Sequence, residues 1–276
     1  MRSEKENRLR YSIFDPTGNI TALVESPVEE SCQPSVAAAI MARHTAVEQV
    51  GFLRLPAGEG ETPALRMAGG EFCGNASMSA AALWALRRGL DGGECSLRVS
   101  GAESAVSVRL RRETEGSFAA AVHMPPAGQI TEKECVISGR RGTLSCVYME
   151  GITHAVITPA SAFFALKDDR PAAERAVRTL CAALGANCLG LMFLEEEMPR
   201  CRLTPLVWVP ASGTLFWENS CASGSAAVSM ALARTLKRTV ALDLDEPGGR
   251  LRAESDPETG ETWLHGRTKL LGEYVA

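Results

Sequence analysis

The chain lacks the marks of several large protein classes. Lys and Arg number 29 against 33 Asp and Glu, a formal net charge of −4. That balance is a poor fit to nucleic-acid binding, which needs a basic face against the phosphates. No apolar run reaches the ~20 residues that span a bilayer, so no membrane segment is expected. Residues 1–10 are charged and carry no apolar stretch of the kind that directs secretion. The nine cysteines form no Cys-x-x-Cys pair and no zinc spacing, and their number is odd. Reduced thiols in the cytoplasm are the simplest expectation. His44, His123, His154 and His265 are scattered, and none clusters with cysteine, so no metal site is expected.

What the chain has is one local pattern, twice. Glu71-Phe-Cys73-Gly-Asn-Ala-Ser-Met-Ser-Ala and Glu218-Asn-Ser-Cys221-Ala-Ser-Gly-Ser-Ala-Ala each place a cysteine before a run of small residues. The two cysteines lie 148 positions apart in 276, a little over half the chain. That length allows one large domain or two of ordinary size, and 45% hydrophobic residues suffice for real cores.

The order of expected elements also repeats. Residues 9–14 and 20–25 read as strands around the turn Asp15-Pro-Thr-Gly-Asn19. Pro34 opens a surface helix to about His44, and 48–55 alternates like a strand. A Gly/Glu/Pro loop spans 56–63. The helix after Cys73, over 75–88 and ended by Gly89, is apolar or small nearly all round, hence buried on every side. Strands are expected at 96–100, 105–111 and 118–124, then a linker at Met124-Pro-Pro-Ala-Gly128. The second half follows with strands at 134–137, 143–149 and 154–158 and a surface helix from Pro171 to Gly185. Strands at 188–194, 203–209 and 214–217 come next, then the helix after Cys221 to about Lys237 and closing hairpin-like strands. The reading is α+β, with two pseudo-symmetric domains, each a mostly antiparallel sheet wrapped round a central helix.

Cys135, Cys146, Cys181, Cys188 and Cys201 sit in apolar patterns and read as plain core, the usual fate of a free cysteine. Cys32 and Cys95 read as incidental residues of polar loops. Cys73 and Cys221 differ because each stands at a helix start. There, unpaired N–H groups and the helix dipole favour an anion, lower a thiol's pKa and can hold a carboxylate. Gly74-Asn75 and Ala222-Ser223 let a ligand approach the backbone closely. A thiolate and a thiol on opposite faces of one α-carbon supply the base and the acid for racemisation, exchanging roles in reverse. Helix starts would stabilise the enolate-like intermediate, and no cofactor is needed.

These motifs resemble the diaminopimelate epimerase family of cofactor-independent amino-acid racemases. Gly18-Asn19 and Gly185-Ala-Asn187 resemble segments whose asparagines contact substrate. Cys73-Gly-Asn75-Ala and Cys221-Ala-Ser-Gly-Ser resemble the two catalytic motifs, and Gly151-Ile-Thr-His154-Ala-Val resembles a further family segment. The resemblance implies Cys73 and Cys221 as catalytic residues, with Asn19, Gly74, Asn75, Asn187, Glu218, Ala222 and Ser223 around the substrate. It implies domains at 1–127 and 128–267, a cleft between them as the site, and a C-terminal strand, 268–276, that returns to the first domain. It also implies a possible homodimer. His154 is assigned to structure, since two thiols fill both proton-transfer roles.

The departures bear on the substrate. Val209-Pro210-Ala211 stands where family members acting on diaminopimelate carry Glu-Arg-Gly, and Ile152 where they carry asparagine. A site built for a distal charged group does not dispense with its partners. The pattern before Cys221 is most similar to histidine racemases of this superfamily, so L- and D-histidine are the first substrate expectation. Proline racemases hold the substrate nitrogen with an acidic residue before the cysteine, a role open to Glu218 or Glu71. The alternative for both is a capping or solvated carboxylate. Diaminopimelate epimerase proper, a PhzF-like isomerase and a small-ligand-binding or thiol-redox protein are the competing readings.

Overall fold

A computed structural model describes residues 8–56, 58, 61–197 and 200–276. The first seven residues and part of the loop expected at 56–63 lie outside the described residues. The first run of elements is β1 (Arg10–Pro16), β2 (Thr21–Val24), α1 (Gln33–Arg43), β3 (Gln49–Arg54), β4 (Ala64–Met67), α2 (Gly74–Arg88), β5 (Gly92–Val99), β6 (Val106–Thr114) and β7 (Ser117–His123). The second run opens with β8 (Ala127–Ile137), β9 (Arg140–Met149), β10 (Ile152–Ile157), α3 (Arg170–Leu184) and β11 (Leu189–Glu197). It continues with β12 (Arg200–Val209), β13 (Thr214–Trp217), α4 (Ala222–Leu236), β14 (Val240–Glu246), β15 (Gly249–Ser255) and β16 (Thr262–Val275).

Strands β1 to β7 pair in sequence order, β7 pairs with β16, and β16 pairs back with β1, so eight strands close a barrel. From β16 the same sheet continues through β15, β14, β12, β11, β10, β9 and β8. The fold is thus mixed α+β. Most neighbours are antiparallel. The parallel pairs are β2–β3 and β4–β5 in the first run, β10–β11 and β12–β14 in the second. A parallel neighbour needs a crossover, and α1, α2, α3 and α4 fall in those four connections.

Helix α2 lies against β1, β2, β5, β6, β7 and β16 and fills the barrel. Helix α4 lies against β8 to β11 and β14 to β16. Both are alanine- and serine-rich, so backbone and sheet come close, and Met78 and Leu83 of α2 are fully buried. Each such side chain contributes about 1.5–3 kcal/mol of transfer free energy. The apolar residues around α2 and α4 form one continuous cluster, while α1 and α3 cover separate outer clusters. Strand β10 is buried on both faces: Ile152 and Val156 join the central cluster, Ala155 and Ile157 the α3 cluster. Gly89 and Gly185 end α2 and α3 in the left-handed region, at φ 66° and 62°.

Several expectations change. Helix α2 begins at Gly74, one residue early. The linker at 124–128 gives way to β8 at Ala127. Strand β4 was not foreseen; four residues offer too short an alternation to read. Cys95 is not in a polar loop: it lies in β5, 2% exposed, on the inward phase of an alternating strand.

Candidate active site

The two repeated motifs meet at the helix starts. Cys73 and Cys221 are the N-cap residues of α2 and α4, both extended, at φ −136°, ψ 111° and φ −128°, ψ 99°. A Cβ placed on Gly74 would lie 2.8 Å from the Ala222 Cβ, so the first residues of the two helices touch. Around this contact is a cavity of about 30 Å³ bordered by both cysteines, Asn19, Asn75, Glu71, Glu218, Ala222 and Ser223. Ile152 and Val209 close its apolar side. The amides of Gly74, Asn75, Ala222 and Ser223 are first-turn donors with no acceptor inside their helices.

Each thiol is held differently. The Cys73 Sγ accepts from Ala76 N–H at 3.3 Å and donates to Gln49 Oε1 at 3.0 Å. Gln49 in turn donates to Thr21 Oγ1 at 2.9 Å and to Asn19 Oδ1, and Asn19 Nδ2 donates to Glu48 Oε2 at 2.7 Å. The Cys221 Sγ is 3.8 Å from Ser223 Oγ. The Cys221 amide donates to Glu246 Oε2 at 2.7 Å, and Ser225 Oγ donates to Glu246 Oε1 at 2.6 Å. Ser223 Oγ also lies 2.9 Å from Nε2 of His154, which burial holds neutral, with a pKa near 3.

The electrostatics reverse one expectation. Helix starts lower a thiol's pKa, yet here both thiols are raised. Desolvation in the closed cleft and the Glu218 and Glu71 charges push Cys73 up to about 12, against the opposing Ala76 amide. Burial and the Glu218 and Glu246 carboxylates push Cys221 well above its ordinary value. The carboxylates are themselves raised by burial, Glu218 and Glu246 to about 8, with Glu48 and Glu71 shifted the same way. Removal from water and neighbouring negative charge outweigh the dipole of a single helix turn.

The structure thus gathers Cys73, Cys221, Asn19, Asn75, Glu218, Ala222 and Ser223 around one cavity; Gly74 does not border it and packs against Ala222 instead. Asn75 ties the motifs together, donating to Ser220 O at 3.1 Å and Ser220 Oγ at 3.2 Å. Asn187 stands apart. It is exposed and borders an adjoining groove with Gly69, Gly70, Glu71, Gly151 and Cys188. Sequence reasoning missed Gln49 and Glu246. Gln49 opens a strand whose register alone turns it toward Cys73, and Glu246 ends an alternating Asp-Leu-Asp-Glu run that reads as solvated. Among the described residues no group of three or more His, Cys, Asp or Glu side chains is arranged to hold a metal ion.

The chain is similar to known racemases and epimerases. A histidine racemase from Staphylococcus aureus (strain Mu50) is 29% identical over 224 residues, 80% of this chain and 79% of the relative. A histidine racemase from Fusobacterium nucleatum subsp. nucleatum is 29% identical over 275 residues, 96% and 95% of the two chains. The solved structure of a hydroxyproline epimerase from Agrobacterium vitis superposes with a TM-score of 0.67 at 13% identity, covering 98% of this chain and 91% of the other. The model of the family described as histidine racemase CntK N-terminal domain matches residues 8–264, and this chain belongs to that family.

Proposed function

We propose that the chain interconverts L- and D-histidine without a cofactor, with Cys73 and Cys221 as opposed acid and base. The observation that carries this reading is two helix-start thiols bordering one cavity. The substrate carboxylate sits at the amides of Gly74, Asn75, Ala222 and Ser223, where two helix dipoles favour negative charge. Charge delocalised into that carboxylate as the α-proton leaves is stabilised by the same donors. One cysteine removes the proton as thiolate, and the other delivers a proton to the opposite face as thiol. Glu218 receives the α-ammonium group. That contact neutralises a carboxylate which raises both thiols, so substrate binding itself favours thiolate formation. Asn19 borders the same cavity and supports Gln49, whereas Asn187 reaches the substrate only from the adjoining groove.

The fold reading that goes with this function is two diaminopimelate epimerase-like units, 1–127 completed by 268–276 and 128–267, with the site between them. A thiol mechanism calls for reduced cysteines, which goes with the reading of a cytoplasmic protein. Diaminopimelate itself fits less well. Among the described residues no Lys, Arg or His borders the thiol cavity or the chamber beside it, which leaves a distal carboxylate without a partner there.

The test is a panel of L-amino acids in D2O under reducing conditions, without added cofactor, followed by NMR for α-deuterium and chiral chromatography for the D-isomer. Histidine acquires deuterium and inverts. Exchange with no amino acid sinks the reading.

A further inference from the structure

The cavity between the thiols is too small for a whole amino acid, and it does not end there. Gln49, Glu71, Val209 and Glu218 border it and also border a second chamber of about 160 Å³. The chamber's far walls are α1, through Ala37, Ala38 and Met41, and the β12–β13 hairpin, through Thr214 and Phe216. Its volume equals that of about five waters at ~30 Å³ each, room for a compact ring of about five heavy atoms. A side chain leaving an α-carbon held between the thiols enters this chamber.

The polar equipment of the combined space is one-sided. Glu48, Glu71 and Glu218 face it, and among the described residues no cationic side chain does. All three carboxylates have partners, but not equally. Glu48 accepts from Asn19 Nδ2, from Asn219 N–H at 3.4 Å and from Asn219 Nδ2. Glu218 is hydrogen-bonded with Cys221 and is taken by the α-ammonium in the reading above. Glu71 is only partly satisfied. Its carboxylate takes backbone hydrogen bonds from its own amide and that of Gly69 and feels the Arg66 charge, yet its Oε2 is shut off from solvent and has no hydrogen-bond partner. Its backbone is pinned, the carbonyl accepting from Ser100 Oγ at 2.8 Å. It borders the thiol cavity, the chamber and the adjoining groove, which places it at their junction. A buried acceptor left unpaired is costly, and such a group at a binding site calls for a donor from the ligand.

We propose that Glu71 is the side-chain recognition residue of this site: its Oε2 accepts a hydrogen bond from an N–H of the substrate's side chain. The substrate class is then amino acids with a compact, N–H-bearing, neutral or cationic side chain. Anionic side chains are refused by the three carboxylates. Apolar isosteres are refused because they seal the Glu71 Oε2 without a partner, the asymmetry that gives hydrogen-bonding sites their large discrimination.

This inference rests on the racemase reading, and the experiment separates the two. Steady-state racemisation and α-deuterium exchange are measured for histidine, its two ring N-methyl isomers and 3-(2-thienyl)alanine, a five-membered-ring isostere without N–H. Wild-type enzyme, Glu71→Gln and Glu71→Leu are compared, each checked for an unchanged melting temperature. Wild type prefers histidine over thienylalanine by on the order of 10³-fold or more in kcat/KM, and one N-methyl isomer is rejected as strongly. Glu71→Gln raises the histidine KM on the order of 10- to 100-fold while kcat stays within a few-fold, because a charge-assisted bond becomes a neutral one. Glu71→Leu collapses the discrimination by accepting thienylalanine. An unchanged histidine KM in both variants, or discrimination that survives Glu71→Leu, overturns the proposal. A wild-type enzyme that exchanges no substrate at all overturns the racemase reading instead.

Discussion

Cys73 and Cys221 cap helices of equal length, fifteen residues each, in nearly the same backbone conformation. Their surroundings nonetheless differ in kind. Cys73 is half-buried and leans on a neutral amide, Gln49, which belongs to a chain of polar groups running through Asn19 to Glu48. Cys221 is 4% exposed and lies between two carboxylates, one of which, Glu246, also binds its main-chain amide. The comparison teaches that a helix start is only an opportunity. Burial first, and then the charges packed around it, decide where the thiol titrates, and here they raise both Cys73 and Cys221.

The strongest way to break the comparison is to remove each thiol in turn. Cys73→Ser and Cys221→Ser should each lower racemisation by about 10²–10⁴-fold, the usual worth of a positioned acid or base, in the D2O assay. If either variant keeps the wild-type rate, the two cysteines do not share one reaction. A smaller effect tests whether the helix starts touch. Gly74→Ala brings a methyl group to 2.8 Å from the Ala222 Cβ. Crowding of that kind costs about 1–3 kcal/mol, more than the helix-propensity gain from replacing glycine, at most ~1 kcal/mol. Urea unfolding should show a net loss of about 1 kcal/mol, largely restored by Ala222→Gly in the same chain. A neutral Gly74→Ala would separate the two helices.

The mildest test sharpens the acidic side. The Glu246 pKa is raised from 4.5 to about 8 by burial, so the folded chain keeps a proton that the unfolded chain releases in that interval. The stability this contributes is full below pH 4.5 and is lost as pH rises through 8. Glu246→Gln keeps the shape without the titration. Its urea midpoint should fall less than that of the wild type between pH 5 and pH 8. Equal slopes would mean that Glu246 does not titrate there.

Much of this was readable from local pattern. The run of alanines and serines after each cysteine announces a helix packed on every side, and Gly89 and Gly185 mark where α2 and α3 end. Both thiols and most of their neighbours follow from the motifs themselves. What the sequence hid depends on distant parts of the chain. Gln49 reaches Cys73 from 24 positions away, and Glu246 reaches the Cys221 amide from 25 positions away. Strand β8 is largely exposed, so it has no buried phase to betray it. The thiols' titration reversed for the same reason: a helix start is local, whereas the burial that overrides it comes from the assembled fold.

Strand β16 sets an order on the birth of the molecule. It is the eighth stave of the barrel around α2, yet it follows all the other elements described. Chains are made from the N-terminus, and segments begin to fold as they emerge. Strands β1 to β7 therefore leave the ribosome as an open sheet, with β1 and β7 each lacking a neighbour until β16 arrives. The barrel that carries Cys73 is begun before the second run of elements and sealed after it. A ribosome stalled before residue 262 would hold an unsealed barrel with two sticky edges, a target for chaperones rather than a working half-enzyme.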